Sequence, residues 1–205
     1  MWDGAPMPSD RRIPLPRSVG EAITAEQTAG DRHRPRYLYF WGHRPTRGAA
    51  AGPGCLSQWW PVEFTEDGHT YRSAEHYMMA HKAWLFDDPK SAAAILRAEH
   101  PAEAKALGRR ISDFDERTWR EHRYGIVVRA GIAKFGQHEA LLQYLLATRD
   151  RVLVEASPLD RIWGIGLAAD DARAASPTTW RGLNLLGFAL MDARDALTDA
   201  GAGTS

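Results

Sequence analysis

A mainly helical α+β domain with a small antiparallel β element is what this sequence predicts, on three observations. Most of the chain after Ser73 carries helix caps and apolar spacing of helical period. The β-type runs are few and short: YLYFW at Tyr37–Trp41, a hairpin in VEFTEDGHTYR, and Val152-Leu153-Val154. A length of 205 residues suits one domain with an ordinary core, and no internal repeat or second domain is visible.

Taken in order, residues 1–35 form a basic N-terminal arm, irregular because Pro6, Pro8, Pro14, Pro16 and Pro35 interrupt it. Ser18 to Thr28 is the one part of it that can form a short helix. Its arginines suit a polyanion, although a solvated tail is the commoner outcome. The domain proper spans 36–199, with a polar tail at 200–205. Tyr37–Trp41 is a short buried strand leading to a small-residue loop, RGAAAGPG. Asp67-Gly68 supplies the positive φ values of a type I′ hairpin turn. Ser73 then caps a helix running to Phe86.

Asp87 or Asp88 caps the next helix, with Pro89 in its first turn. Pro101 opens another, which Gly108 ends from the C′ position. A longer helical pattern runs from Asp115 to Phe135, with Gly125 and Gly131 predicting a kink or break. His138 to Thr148 is amphipathic. Val152–Val154 is a strand, ASPLDRIWGIGL is irregular, and Leu183 to Thr198 is a helix with one apolar face.

Composition excludes several classes. Charged residues balance, 26 basic against 26 acidic, so no global field draws the molecule to nucleic acid or membrane. A single cysteine, Cys55, excludes an internal disulfide framework and fits a reducing compartment. Its GPGCLSQ setting offers no base to activate it, and an ordinary thiol is expected. No apolar run approaches the ~20 residues of a spanning helix, and MWDGAPMPSDRR lacks a signal-peptide core. A cytoplasmic protein without membrane contact is expected. Eight tryptophans suit a pocket that stacks planar rings, though Trp84 and Trp119 suit a core equally well.

The stretch SAEHYMMAHKAWLF, Ser73–Phe86, is the chemical anomaly. At about 100° per residue, Glu75, Met79, Lys82 and Phe86 share one face. The helix is apolar nearly all round and therefore buried, and buried charges are rare unless paired or functional. The plain alternative is that Glu75 and Lys82 reach separate wet edges. His76 and His81 are five apart and diverge by about 140°, which excludes a helix-borne zinc site. No metal and no cofactor are expected.

Ser157–Leu167 is the second unusual stretch. Asp160 and Trp163 stand beside Gly164 and Gly166, joining a carboxylate and a stacking ring to backbone that a ligand can approach closely. The letters G-I-G-L-A-A match a dinucleotide fingerprint, but the required strand and helix are missing. Asn184 caps the last helix or binds a ligand. Arg123, among apolar neighbours, holds a phosphate or snorkels to water.

Together LSQWWP, TYRSAEHYMMAHKA, ALGRR, AKFGQH, LLATRDRVLVEASPLDRIWGIG and GLNLLGFALM resemble the NADAR family, also called YbiA-like, over roughly Tyr37 to Leu197. The resemblance implies a compact, largely helical fold and hydrolysis of N-glycosidic bonds to ribose derivatives. One branch of the family acts on phosphoribosylated pyrimidine intermediates of riboflavin biosynthesis, and another removes ADP-ribose from guanine in DNA. The family's acidic helix residue falls on Glu75, its lysine on Lys82, and its loop Asp and Trp on Asp160 and Trp163. Phe40, Trp41, Trp60, Arg109, Arg123, Gly164 and Asn184 are the candidate substrate-binding residues. The basic arm and the RGAAAGPG insertion depart from simpler members and leave the substrate branch open.

Cleavage of a ribosyl C–N bond develops positive charge on the sugar and negative charge on the base. Glu75 and Asp160 can divide the roles of oxocarbenium stabiliser or base and of acid, while Trp163 stacks. Lys82 serves as an ammonium on phosphate or as an amine forming a Schiff base. The expected partner is a small phosphoribosyl or ADP-ribosyl substrate, nucleic acid entering only as an ADP-ribosylated substrate. A non-catalytic ADP-ribose or NAD-binding module, or an interaction protein working through the arm, are the competing classes.

Overall fold

The computed structural model describes residues 14–29, 34–46, 48 and 50–202. Arg11, Arg12 and Arg32 of the arm lie outside the described residues. Within the arm, Ser18 accepts a bond from the Glu21 amide and starts helix α1, Val19–Thr28. The arm is therefore regular over part of its length. It is also anchored: Arg17 pairs with Asp192 and Asp195, and Ala22 is fully buried.

Strand β1, Tyr37–Phe40, follows, and then the hairpin of β2, Phe64–Glu66, and β3, His69–Tyr71. The two hairpin strands pair antiparallel, and Asp67 and Gly68 both hold positive φ, 50° and 77°, as a type I′ turn requires. Beyond that expected element, β1 pairs in parallel with β4, Val152–Glu155, in register Tyr37 with Val152 through Phe40 with Glu155. The partners are far apart in sequence, and no local pattern announces such a pairing.

Helix α2, Ala74–Leu85, is capped by Ser73 and buried along most of its length. It packs on α3, Pro89–Arg97, capped by Asp88, and on α4, Pro101–Gly108. Gly108 is the last helical residue rather than the expected C′ glycine. Its missing side chain makes room for Met79, whose Sδ would stand 2.1 Å from an added Cβ. Helix α5, Glu116–Gly136, starts at the Asp115 cap and runs unbroken through Gly125 and Gly131. The expected kink is absent because packing overrides the propensity cost. Gly131 lies against Ala193 of α7, Leu185–Ala202, leaving no space for a side chain. Helix α6 spans Glu139–Leu146. The last helix continues to Ala202, through much of the stretch expected to be a tail.

Helix α7 also starts later than its pattern suggests, and Asn184 is the reason. This fully buried residue holds φ 53°, and its amide is neither a helix cap nor turned to a ligand. Its Oδ1 accepts from the Glu155 amide at 2.9 Å and its Nδ2 donates to the Leu153 carbonyl at 2.9 Å. It thus completes the edge of β4 that no strand among the described residues pairs with. Asn184→Ala leaves two buried backbone groups unpaired and should cost about 2–4 kcal/mol in chemical denaturation, at ~1–2 kcal/mol for each group, the lower part of the range for an unpaired buried group. A loss below ~0.5 kcal/mol would show that the edge is satisfied in another way.

Candidate active site

The Ser73 cap places Glu75 in the first turn of α2, where burial leaves only 2% of it exposed. One carboxylate oxygen, Oε2, accepts from Trp59 Nε1 at 3.2 Å, while Oε1 is enclosed without a hydrogen-bonding partner. Burial pushes this carboxyl up to about 7. Lys105 and the Trp59 N–H oppose that rise, and Asp160 adds to it. Glu75 is therefore poised between acid and base near neutrality.

Glu75, Met79 and Lys82, all on α2, line one cavity of about 260 Å³ together with Ile162 and Trp163 of the loop after β4. The sequence-predicted acid, amine and tryptophan thus share one space. Lys82 donates to the Gly108 carbonyl at 2.8 Å and lies 4.1 Å from the centroid of Phe114. Burial lowers its pKa, and Glu116 opposes this. Lys105, Arg109 and Arg123 also face the cavity. Arg123 is 5% exposed, and its Nε is enclosed without a partner. Four cations against Glu75 and Glu116 make the walls attractive to an anion.

Asp160 organises the loop rather than the wall. Its Oδ1 accepts from the amides of Ile162 and Trp163, both at 2.8 Å, which sets where the Trp163 side chain leaves the backbone. Its charge still acts on Glu75 and Arg123. Gly164 does not contact the cavity. It lets the loop backbone pass β4, where an added Cβ would meet the Glu155 carbonyl oxygen at 2.8 Å.

Three further candidates lie elsewhere. Phe40, 3% exposed, faces the core from the end of β1, so the next residue, Trp41, faces outward and is 61% exposed. Trp60 is buried in the core. Its neighbour Trp59 makes the contact with Glu75, because successive side chains in a turn diverge.

Sequence reasoning missed Glu155, Trp59 and Lys105. Glu155 ends β4 with its Oε2 enclosed and unpartnered. Burial, then Asp160 and Glu75, raise it to about 8. Three carboxyl groups therefore crowd one region. The available signal was an acidic residue closing the apolar run Val152–Val154. Cys55 is buried and burial raises its thiol, consistent with an inert side chain. Among the described residues, no group of three or more His, Cys, Asp or Glu side chains is placed to hold a metal ion, and no helix is long and apolar enough to cross a membrane.

Fold and site together present an enclosed carboxyl and four cations around one cavity, the setting of an enzyme active site. The chain belongs to the NADAR domain family, whose model matches residues 39–198. It is 41% identical over 165 residues to N-glycosidase R617 of Acanthamoeba polyphaga mimivirus, covering 78% of this chain and 95% of that one. It is 34% identical over 138 residues to N-glycosidase YbiA of Escherichia coli (strain K12), covering 67% and 76%. The NMR structure of E. coli YbiA superposes with a TM-score of 0.65 at 26% identity, over 92% of this chain and 96% of the other. A riboflavin biosynthesis protein of Vibrio vulnificus (strain YJ016), VVA0006, is 35% identical over 113 residues, 55% of this chain but 30% of its own length.

Proposed function

We propose that this protein hydrolyses the N-glycosidic bond between a base and a phosphorylated ribose, a phosphoribosylaminopyrimidine of the riboflavin pathway being its substrate. The observation that carries the reading is Glu75: an enclosed carboxyl with one oxygen unpartnered, in a cavity whose walls also carry four cations and three aromatic rings. Lys82, Lys105, Arg109 and Arg123 bind the phosphate and orient the ribose. Glu75 activates water for attack at C1′ as the C–N bond breaks, and the leaving nitrogen takes up a proton from a neighbouring acid. Glu155, raised by burial and by the neighbouring charges of Asp160 and Glu75, is the carboxyl group available to supply it, while Asp160 holds the loop. Trp163 provides a stacking face. The names of R617 and YbiA support the reaction, and that of VVA0006 supports the pathway.

A cavity of this size and a net charge of zero favour a metabolite over ADP-ribosylated duplex DNA. The deciding experiment offers purified protein both substrate classes and follows base release by mass spectrometry. Release from the phosphoribosyl metabolite is expected. Release from ADP-ribosylated DNA alone would reassign the substrate, and tight ADP-ribose binding without product from either would make the protein a binding module.

Lys82 acts here as an ammonium, and Lys82→Ala should lower kcat/KM about 10- to 100-fold, as loss of a charge-assisted bond of ~1.5–3 kcal/mol requires. Borohydride should trap no adduct. A reduced adduct on Lys82 would replace this role with a covalent one.

A further inference from the structure

A second cavity, of about 440 Å³, takes no part in the reaction proposed at Glu75. Its walls include His43, Trp59, His76, His100 and the carboxylate-bearing Glu63 and Glu99. None of its lining residues is shared with the Glu75 cavity, yet the two adjoin through three parts of the fold. On α2, Glu75 faces one cavity and its neighbour His76 the other. At the start of α4, His100 faces the second cavity, while Lys105, about 7 Å further along the helix, faces the first. Between them stands Trp59. Its Nε1 donates to Glu75, Lys105 lies 5.9 Å from its ring centroid, and the rings of His43 and His100 lie 5.9 and 5.8 Å away.

We infer that this second cavity binds the leaving base, taking an amino-substituted planar heterocycle against Trp59 while the cationic cavity holds the ribose phosphate. The inference rests on the N-glycosidase reading and assigns the two halves of its substrate to separate places.

The chemistry of the two cavities differs in the required sense. The first carries four cations and suits phosphate. The second combines an indole and imidazoles, which stack planar rings, with two carboxylates that accept bonds from exocyclic amines, and its one cation, Arg72, donates to the Arg97 and Ala98 carbonyls. His76 is a wall rather than a reader, since its Nδ1 meets Ser73 Oγ at 2.7 Å and its Nε2 meets the Ala98 carbonyl at 3.2 Å. His100 differs. Its Nδ1 accepts from the Ala102 amide, so the neutral ring carries its proton on Nε2 as a donor. A substrate spanning both cavities places its glycosidic bond at their junction, where Trp59 positions Glu75.

The test uses two half-ligands, 2,4-diaminopyrimidine and ribose 5-phosphate, with the full chain. Binding is followed by NMR on the Trp59 Nε1–H resonance, identified by its loss in Trp59→Phe, and on the whole amide spectrum. The two are expected to bind together without competition. His43→Ala combined with His100→Ala should weaken diaminopyrimidine at least tenfold and leave ribose 5-phosphate within twofold. Arg109→Ala should do the reverse.

Competition between the half-ligands, equal weakening of both by the histidine variant, or no diaminopyrimidine binding to the wild type would each overturn the assignment. Failure of the underlying reading shows separately, as absence of base release by the wild type while half-ligand binding is still measured. Trp59→Phe keeps a stacking ring but loses the N–H to Glu75. It should lower kcat with little change in diaminopyrimidine binding, and the opposite split would remove Trp59 as the positioning residue.

Discussion

Glu75→Gln should abolish turnover while making the folded protein more stable at alkaline pH. Glutamine reproduces the protonated acid in shape and can still accept the Trp59 N–H, but it can neither take nor give a proton. Loss of a positioned acid–base group costs ~10²–10⁴-fold in rate. The stability gain follows from the same burial. The folded-state pKa is raised from the ordinary 4.5 to about 7, so the folded protein keeps a proton that the unfolded chain sheds.

The stabilisation from that proton is fully present below about pH 4.5 and is lost as pH rises through about 7. The displacement corresponds to on the order of 3 kcal/mol. Wild type and variant should therefore unfold at similar denaturant concentrations near pH 4.5 and diverge by pH 8, with the variant the more stable. Glu155, raised in the same direction to about 8, leaves part of the pH slope in both proteins. Parallel wild-type and variant curves from pH 4.5 to 8, or full turnover by Glu75→Gln, would remove the enclosed acid from the mechanism.

Lys134→Ala should be the most destabilising single substitution outside the site. This lysine is 1% exposed, and its ammonium donates to the carbonyls of Cys55 at 2.6 Å and Ser57 at 2.9 Å. Alanine leaves the Cys55 carbonyl buried and unpaired, leaves Ser57 with only the Trp60 amide at 3.3 Å, and opens a void where the stem had been. About 3–5 kcal/mol is expected by urea denaturation. Lys134→Met refills the volume without the bonds and should fall between wild type and alanine. Burial also depresses the lysine to about 7. Unlike a paired surface lysine, it makes wild-type stability rise between about pH 7 and 10.5, where only the unfolded chain holds the proton. Lys134→Met should lose that rise. The bonded turn leads directly into Trp59, so the alanine variant should also lose activity. An urea midpoint shifted by less than ~0.5 kcal/mol for alanine would show that other groups hold the turn.

Several features were legible because they depend on neighbours in sequence. The caps at Ser73, Asp88 and Asp115 each satisfy an amide three residues on, and the Asp67-Gly68 turn needs only its own backbone angles. The face shared by Glu75 and Lys82 follows from helical period, and its strangeness from their apolar surroundings. Trp163 came to that face through family resemblance, and the structure shows the cavity they share.

What the sequence by itself determined, then, was where the capped helices begin, where the hairpin turns, and that an acid and an amine lie on a helix with no solvated side. Only the tertiary structure decided that β1 and β4 pair in parallel, that Asn184 closes the β4 edge, that Glu155 joins Glu75 and Asp160, and that Trp59 rather than Trp60 reaches the acid. Caps and turns are settled by atoms a few bonds apart. Pairing, enclosure and the direction of a side chain leaving a turn depend on distant segments that burial brings together, and no single stretch of chain records them.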